Sequence, residues 1–112
     1  MHHSSLLSKD EYLRKILALI VEHYAPEQVY LFGSKARGEE GPGSDYDLLI
    51  VVKRRISRAK VENFTEKRWD ARLFGPTDIV IWTKKSFEAQ AQLRASLPAS
   101  VLEEGELLYD AA

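Results

Sequence analysis

Leu48-Leu49-Ile50-Val51-Val52, entered directly from Ser44-Asp45-Tyr46-Asp47, constrains the fold more than any other stretch of this chain. Five consecutive apolar residues bounded by polar ones read as a short strand covered on both faces. Two more strands are legible beside it. Val29-Tyr30-Leu31-Phe32 is a short buried run that Gly33 stops, and Thr77-Asp78-Ile79-Val80-Ile81-Trp82 follows the breaker Gly75-Pro76. Leu107-Leu108-Tyr109 adds an edge strand. The 112 residues are expected to form one domain over 1–112, since the chain is too short for two ordinary ones.

Helical patterns lie between these strands. Leu13, Ile16, Leu17, Ile20, Val21 and Tyr24 recur at three- and four-residue steps and make one apolar stripe. Ser8 with Glu11 fits a capping box, Leu7 staples onto Tyr12 across it, and Ala25-Pro26 ends the helix. Ser57 to about Leu73 reads as a second helix with ragged apolar spacing at Val61, Phe64 and Trp69. Ser86 to about Ala95 reads as a third. Pro98 opens a short fourth that Gly105 closes. Glu39-Glu40-Gly41-Pro42-Gly43-Ser44 is a loop by composition.

Composition narrows the function classes. Zero cysteines exclude disulfides, thiolate metal sites and cysteine nucleophiles together. The longest apolar run, Ile16 to Val21, falls far short of the roughly 20 residues of a membrane span. The N-terminus does not read as a signal peptide, so a cytoplasmic protein is expected. The net charge of -1 gives no support for general nucleic-acid binding, yet Lys53 to Arg72 carries eight basic and three acidic side chains. Such a patch suits an anionic substrate or an acidic partner, or is a solvated helix face.

Three aspartates stand at the starts of strands, where polar residues are expensive. Asp45 and Asp47 are two apart, so their side chains leave the same face about 7 Å apart at the backbone. Asp78 opens the next strand. Three carboxylates at one sheet end repel one another unless a cation compensates, and oxygen-only ligands favour magnesium or manganese over zinc. Upstream, Gly33 permits close approach of a ligand, Ser34 adds a hydroxyl at the turn, and Arg37 offers a positive fork to phosphate. Together these suit a triphosphate held at one end and metal-bound carboxylates at the other, with in-line attack at phosphorus. Taken singly, each has a bland reading as a turn, a cap or a strand-opening residue held by amides.

The combined pattern is recognisable. Gly33-Ser34-Lys35-Ala36-Arg37-Gly38, a short loop, and then Ser44-Asp45-Tyr46-Asp47-Leu48 resembles the signature of the nucleotidyltransferase (DNA polymerase β-like) superfamily. Asp78, followed by Ile79-Val80-Ile81, matches the third carboxylate of that superfamily. In size and in its Gly-Ser-x-Ala-Arg-Gly form the chain is similar to the minimal nucleotidyltransferases (MNT), commonly encoded beside a HEPN-domain partner as its antitoxin. Lys35 stands where many relatives carry arginine.

The resemblance implies an α/β fold with a small mixed sheet and helices largely on one face. It implies transfer of AMP from ATP to a hydroxyl, usually a tyrosine of the HEPN partner, with release of pyrophosphate. Two Mg2+ ions, replaceable by Mn2+, would be held by Asp45 and Asp47, with Asp78 completing the first site and positioning or deprotonating the acceptor. Gly33 and Ser34 would bind the β- and γ-phosphates, with Arg37 as a further phosphate contact. Two rival functions stay open: transfer to a small molecule such as an aminoglycoside, and a non-catalytic partner that neutralises a toxin by binding. A role on nucleic acid is disfavoured by size and charge, and the oligomeric state is open.

Overall fold

The computed structural model describes residues 5–33, 35, 36, 38 and 45–112. In chain order the elements are α1 (Ser5–Lys9), α2 (Glu11–Tyr24), β1 (Gln28–Phe32), β2 (Tyr46–Val52), α3 (Arg58–Asp70), β3 (Thr77–Thr83), α4 (Lys84–Ala91), α5 (Leu97–Glu104) and β4 (Glu106–Asp110). The four strands form one mixed sheet in the order β3-β2-β1-β4. β1 runs antiparallel to both β2 and β4, whereas β2 and β3 are parallel and joined through α3.

The apolar stripe of α2 covers one face of the sheet. Leu13, Ile16 and Ile20 are buried there with Val29 and Leu31 of β1, Leu48 and Ile50 of β2, and Leu108 of β4. Each such side chain stabilises the fold by about 1.5–3 kcal/mol through burial. Alternate residues, Tyr30, Leu49 and Val51, face the other way and meet Phe87 of α4 and Val101 of α5. The two long helices thus share one face, as expected, and the shorter α4–α5 pair gives the second face its cover. The five-residue apolar run of β2 is apolar on both parities because both faces are covered.

The first helix differs from the expectation in its start. Ser8 belongs to the separate helix α1, and the cap of α2 is Asp10, whose Oδ1 accepts from the Leu13 amide at 3.0 Å. A carboxylate is the stronger cap, because its charge also meets the positive end of the helix. Asp10 Oδ2 remains for a second task and accepts from the Tyr46 hydroxyl at 2.5 Å. At the other end Ala25 takes a left-handed conformation (φ 47°), since the following proline excludes the right-handed helical region.

Two later helices also shift. α3 stops at Asp70 rather than near Leu73, because Arg72 turns the chain through φ 59° and returns Leu73 to the core. α4 begins two residues early, since Thr83 caps it by accepting from the Ser86 amide at 3.2 Å. His23 ties α2 to α3, with Nε2 donating to the Lys60 carbonyl at 2.7 Å. No helix among the described residues is long and apolar enough to cross a membrane.

Candidate active site at one end of the sheet

The topology brings the end of β1 and the starts of β2 and β3 to one end of the sheet. Phe32 pairs with Asp47, so Gly33 leaves β1 beside that carboxylate. Asp47 pairs in turn with Asp78 across the parallel ladder. Register partners on adjacent strands share a face and stand about 4.8 Å apart at the backbone. Asp45, two residues before Asp47, lies exposed just ahead of β2. Of the candidate residues, the structure therefore unites Asp47, Asp78 and Gly33, with Asp45 at the rim. Ser34 and Arg37 lie outside the described residues, as does the Glu39–Ser44 loop.

Gly33 is required here twice over. Its φ of 78° is a conformation that residues with a Cβ rarely adopt. A Cβ built on it would collide with Asp47 Oδ2 and lie 3.2 Å from Asp47 Cγ. Only glycine lets the backbone pass this close to the carboxylate. Gly38 has a similar φ of 73°, but a Cβ there would meet no atom of the described residues within 4 Å.

A polar clamp that the sequence did not disclose fixes the start of β3. Arg68 of α3 donates through Nε to the Leu73 carbonyl at 2.9 Å and through Nη2 to the Gly75 carbonyl at 2.6 Å. The same Nη2 donates to the Tyr12 hydroxyl at 3.2 Å. Tyr12 Oη in turn lies 3.0 Å from the Gly75 carbonyl and 2.7 Å from Thr77 Oγ1. Gly75 is packed against this ring, with an imagined Cβ only 2.7 Å from Tyr12 Cζ. Helices α2 and α3 thereby hold Thr77, the residue before Asp78. No spacing rule signals this, because its partners are 5 to 65 residues apart.

Tyr46, between the two aspartates, points to the opposite face. Its hydroxyl is bound by Asp10, its ring lies 5.1 Å from that of Tyr12, and Lys35 Nζ sits 4.4 Å above it. One residue thus joins the cap of α2, the chain after Gly33 and the Asp-x-Asp segment.

The basic stretch divides between the two ends of the sheet. Lys53, Arg54 and Arg55 follow the far end of β2, about 20 Å from Asp47 by strand length. There they line a cavity of about 440 Å³ with Lys60. Arg68 lies near the carboxylates and is committed to the clamp.

Among the described residues no three His, Cys, Asp or Glu side chains are grouped so as to hold a metal ion. The donors nonetheless fit a hard divalent ion in kind. They are carboxylates on one face at a sheet end, one of them packed directly against the Gly33 backbone.

The family model "Polymerase beta, Nucleotidyltransferase" matches residues 14–112. A search of curated proteins finds no significant match. Among solved structures, a toxin-antitoxin complex with AMP-PNP is similar at 20% identity and a TM-score of 0.60, covering 88% of this chain and 73% of the other. A putative nucleotidyltransferase from Sulfolobus solfataricus gives 19% and 0.58, covering 90% of this chain and 79% of the other. A complex of tri-AMPylated Shewanella oneidensis HEPN toxin with MNT antitoxin gives 19% and 0.55, covering 89% and 71%. At these identities the structural likeness speaks for the fold, while the family match spans nearly the whole chain. The chain belongs to the polymerase β nucleotidyltransferase family.

Proposed function

We propose that the chain moves the AMP group of ATP onto a hydroxyl of a protein acceptor, a tyrosine of a HEPN-domain partner, and acts as the antitoxin of that pair. The observation that carries the reading is the register pair Asp47–Asp78 at the sheet end, with Gly33 pressed against Asp47. The similar complexes, one holding AMP-PNP and one an AMPylated HEPN toxin beside its MNT antitoxin, support the same chemistry and the same kind of partner.

In the reaction the acceptor oxygen attacks the α-phosphorus of ATP. The bond from that phosphorus to the β-bridging oxygen breaks, and pyrophosphate leaves. Asp45, Asp47 and Asp78 would hold two Mg2+ ions, with Mn2+ able to replace them. Such ions stabilise the charge on the entering and leaving oxygens. Asp78, on the same face as Asp47, orients the acceptor hydroxyl and takes its proton. Gly33 and Ser34 receive the β- and γ-phosphates through backbone amides and a hydroxyl, with Arg37 as a further contact. The partner supplies the hydroxyl and the walls that exclude water.

The test is incubation with ATP, magnesium and the protein encoded beside this one, read by intact-mass spectrometry. One or more AMP additions on the partner are expected. A partner unchanged in mass, with efficient transfer to a small molecule instead, would refute the protein-acceptor reading.

A further inference from the structure

β3 lies at the edge of the sheet, and the outer backbone groups of Asp78 to Trp82 meet no partner among the described residues. Such an edge is a template for another strand unless it is blunted by lysine, proline, a bulge or a covering element. β3 has none of these: its seven residues Thr-Asp-Ile-Val-Ile-Trp-Thr pair with β2 without a register shift, and its only charge is Asp78 near one end. We propose that this edge is the seam of a twofold homodimer with an eight-stranded sheet, in which Trp82 of each copy stands beside Asp78 of the other.

The sequence of β3 names its own occupant. An antiparallel pair about a twofold axis keeps faces matched only if paired numbers sum to an even value, and the register centred on Val80 uses all seven residues. It sets Val80 against Val80, Ile79 against Ile81 and Thr77 against Thr83. β-branched and threonine pairs of this kind stabilise antiparallel neighbours. The remaining pair is Asp78 with Trp82. The other edge strand lacks this self-complementarity, because the same operation on β4 sets Glu106 against Asp110.

The surroundings agree. Ile79 and Ile81 are half-buried beneath a shallow cavity of about 160 Å³ that they share with Val61 and Phe64. At the end of α3 nearest Thr77, Trp69 is 69% exposed and Phe74 57%, with rings edge to face at 4.8 Å. The twofold runs α3 antiparallel to its copy. Trp69 and Phe74 of one copy are thereby directed toward the exposed Val61 end of the other. A twofold contact of one patch with itself also closes, so it makes a dimer and not a fibre.

The seam has a consequence for the site. Within one copy Trp82 is four residues along the strand from Asp78, about 13 Å away. Across the seam the two are direct partners, about 5 Å apart at Cβ, on the face shared with Asp47. Each copy's indole then walls the other copy's carboxylates. This last step rests on the proposed transfer site, whereas the seam itself does not.

The test uses sedimentation velocity and single cysteines, which the cysteine-free chain makes unambiguous. The wild-type chain is expected to sediment as a dimer. Val80→Cys should cross-link in air, since directly opposed Cα atoms lie within disulfide range. Ile79→Cys should not, because its copies are offset by two residues to about 8 Å. The double variant Asp78→Cys with Trp82→Cys should cross-link between copies. A monomer at micromolar concentration, or equal cross-linking of Val80→Cys and Ile79→Cys, would overturn the seam. Neither readout involves nucleotide or metal, so its failure leaves the transfer reading standing, and the converse holds.

Discussion

Gly33→Ala and Gly38→Ala form a matched pair that isolates what the first glycine does. Both residues have positive φ, 78° and 73°, so either substitution carries the left-handed backbone penalty of roughly 1–2 kcal/mol. Among the described residues, only at position 33 does the new methyl group meet another atom, the Asp47 carboxylate. That carboxylate ends a short side chain with two torsions and can turn aside, so little further loss of stability is expected. Turning aside removes it from the site, where a displacement of about 1 Å costs on the order of 100-fold in rate. Urea midpoints of the two variants should therefore lie close together, while AMP transfer falls about 100-fold in Gly33→Ala and stays near wild type in Gly38→Ala. Transfer by Gly33→Ala within a few-fold of wild type would refute the argument that Gly33 makes room for Asp47.

Asp45→Asn and Asp47→Asn should each abolish transfer while far-ultraviolet circular dichroism remains native, because the carboxylates open the strand and do not build its core. Arg68→Ala removes two hydrogen bonds to the loop before β3 and one to Tyr12 of α2, and should cost about 2–4 kcal/mol in a urea titration. The rate per folded molecule should fall with it, as Asp78 loses its fixed approach. The Tyr30 phenol is pushed above its ordinary value by burial and then by the Asp110 carboxylate. The folded state thus keeps this proton longer than the unfolded chain. The contribution is whole below about pH 10 and is lost as pH rises further. Tyr30→Phe should flatten the decline of the urea midpoint between about pH 9 and 11.

The parts of this molecule legible in the sequence are those written in local pattern. Leu48–Val52 announced a strand covered on both faces, and α4 and α5 supply the second cover. That local reading was sharper than the family-level expectation of helices largely on one face, which describes α2 and α3 well and understates the other layer. Asp45, Asp47 and Asp78 stand out in the sequence as carboxylates at strand starts, although the structure leaves Asp45 and Asp78 exposed, where a carboxylate costs little. Their register, Asp47 beside Asp78, required the parallel pairing that only the sheet order reveals.

What stayed hidden depends on contacts distant in sequence. Tyr12 reads as a flanking aromatic of the first helix, and Arg68 as one cation in a basic run. Only the fold sets their side chains on the Gly75 carbonyl. The capping box at Ser8 failed because Asp10 satisfies the helix and Tyr46 together, an advantage no local rule contains. The basic stretch looked like one surface, but α3 carries it from one end of the sheet to the other. Arg68 serves the fold near the carboxylates, while Lys53 to Arg55 gather at the far end.

Under the proposed function, carboxylates on adjoining strand starts hold a divalent ion together with a triphosphate. Manganese binding followed by electron paramagnetic resonance, with and without a non-hydrolysable ATP analogue, addresses it most directly. The wild-type chain is expected to bind Mn2+ more tightly when the analogue is present, and Asp47→Asn and Asp78→Asn are each expected to lose this enhancement. Equal Mn2+ binding by the wild type and by a variant carrying both substitutions would contradict it.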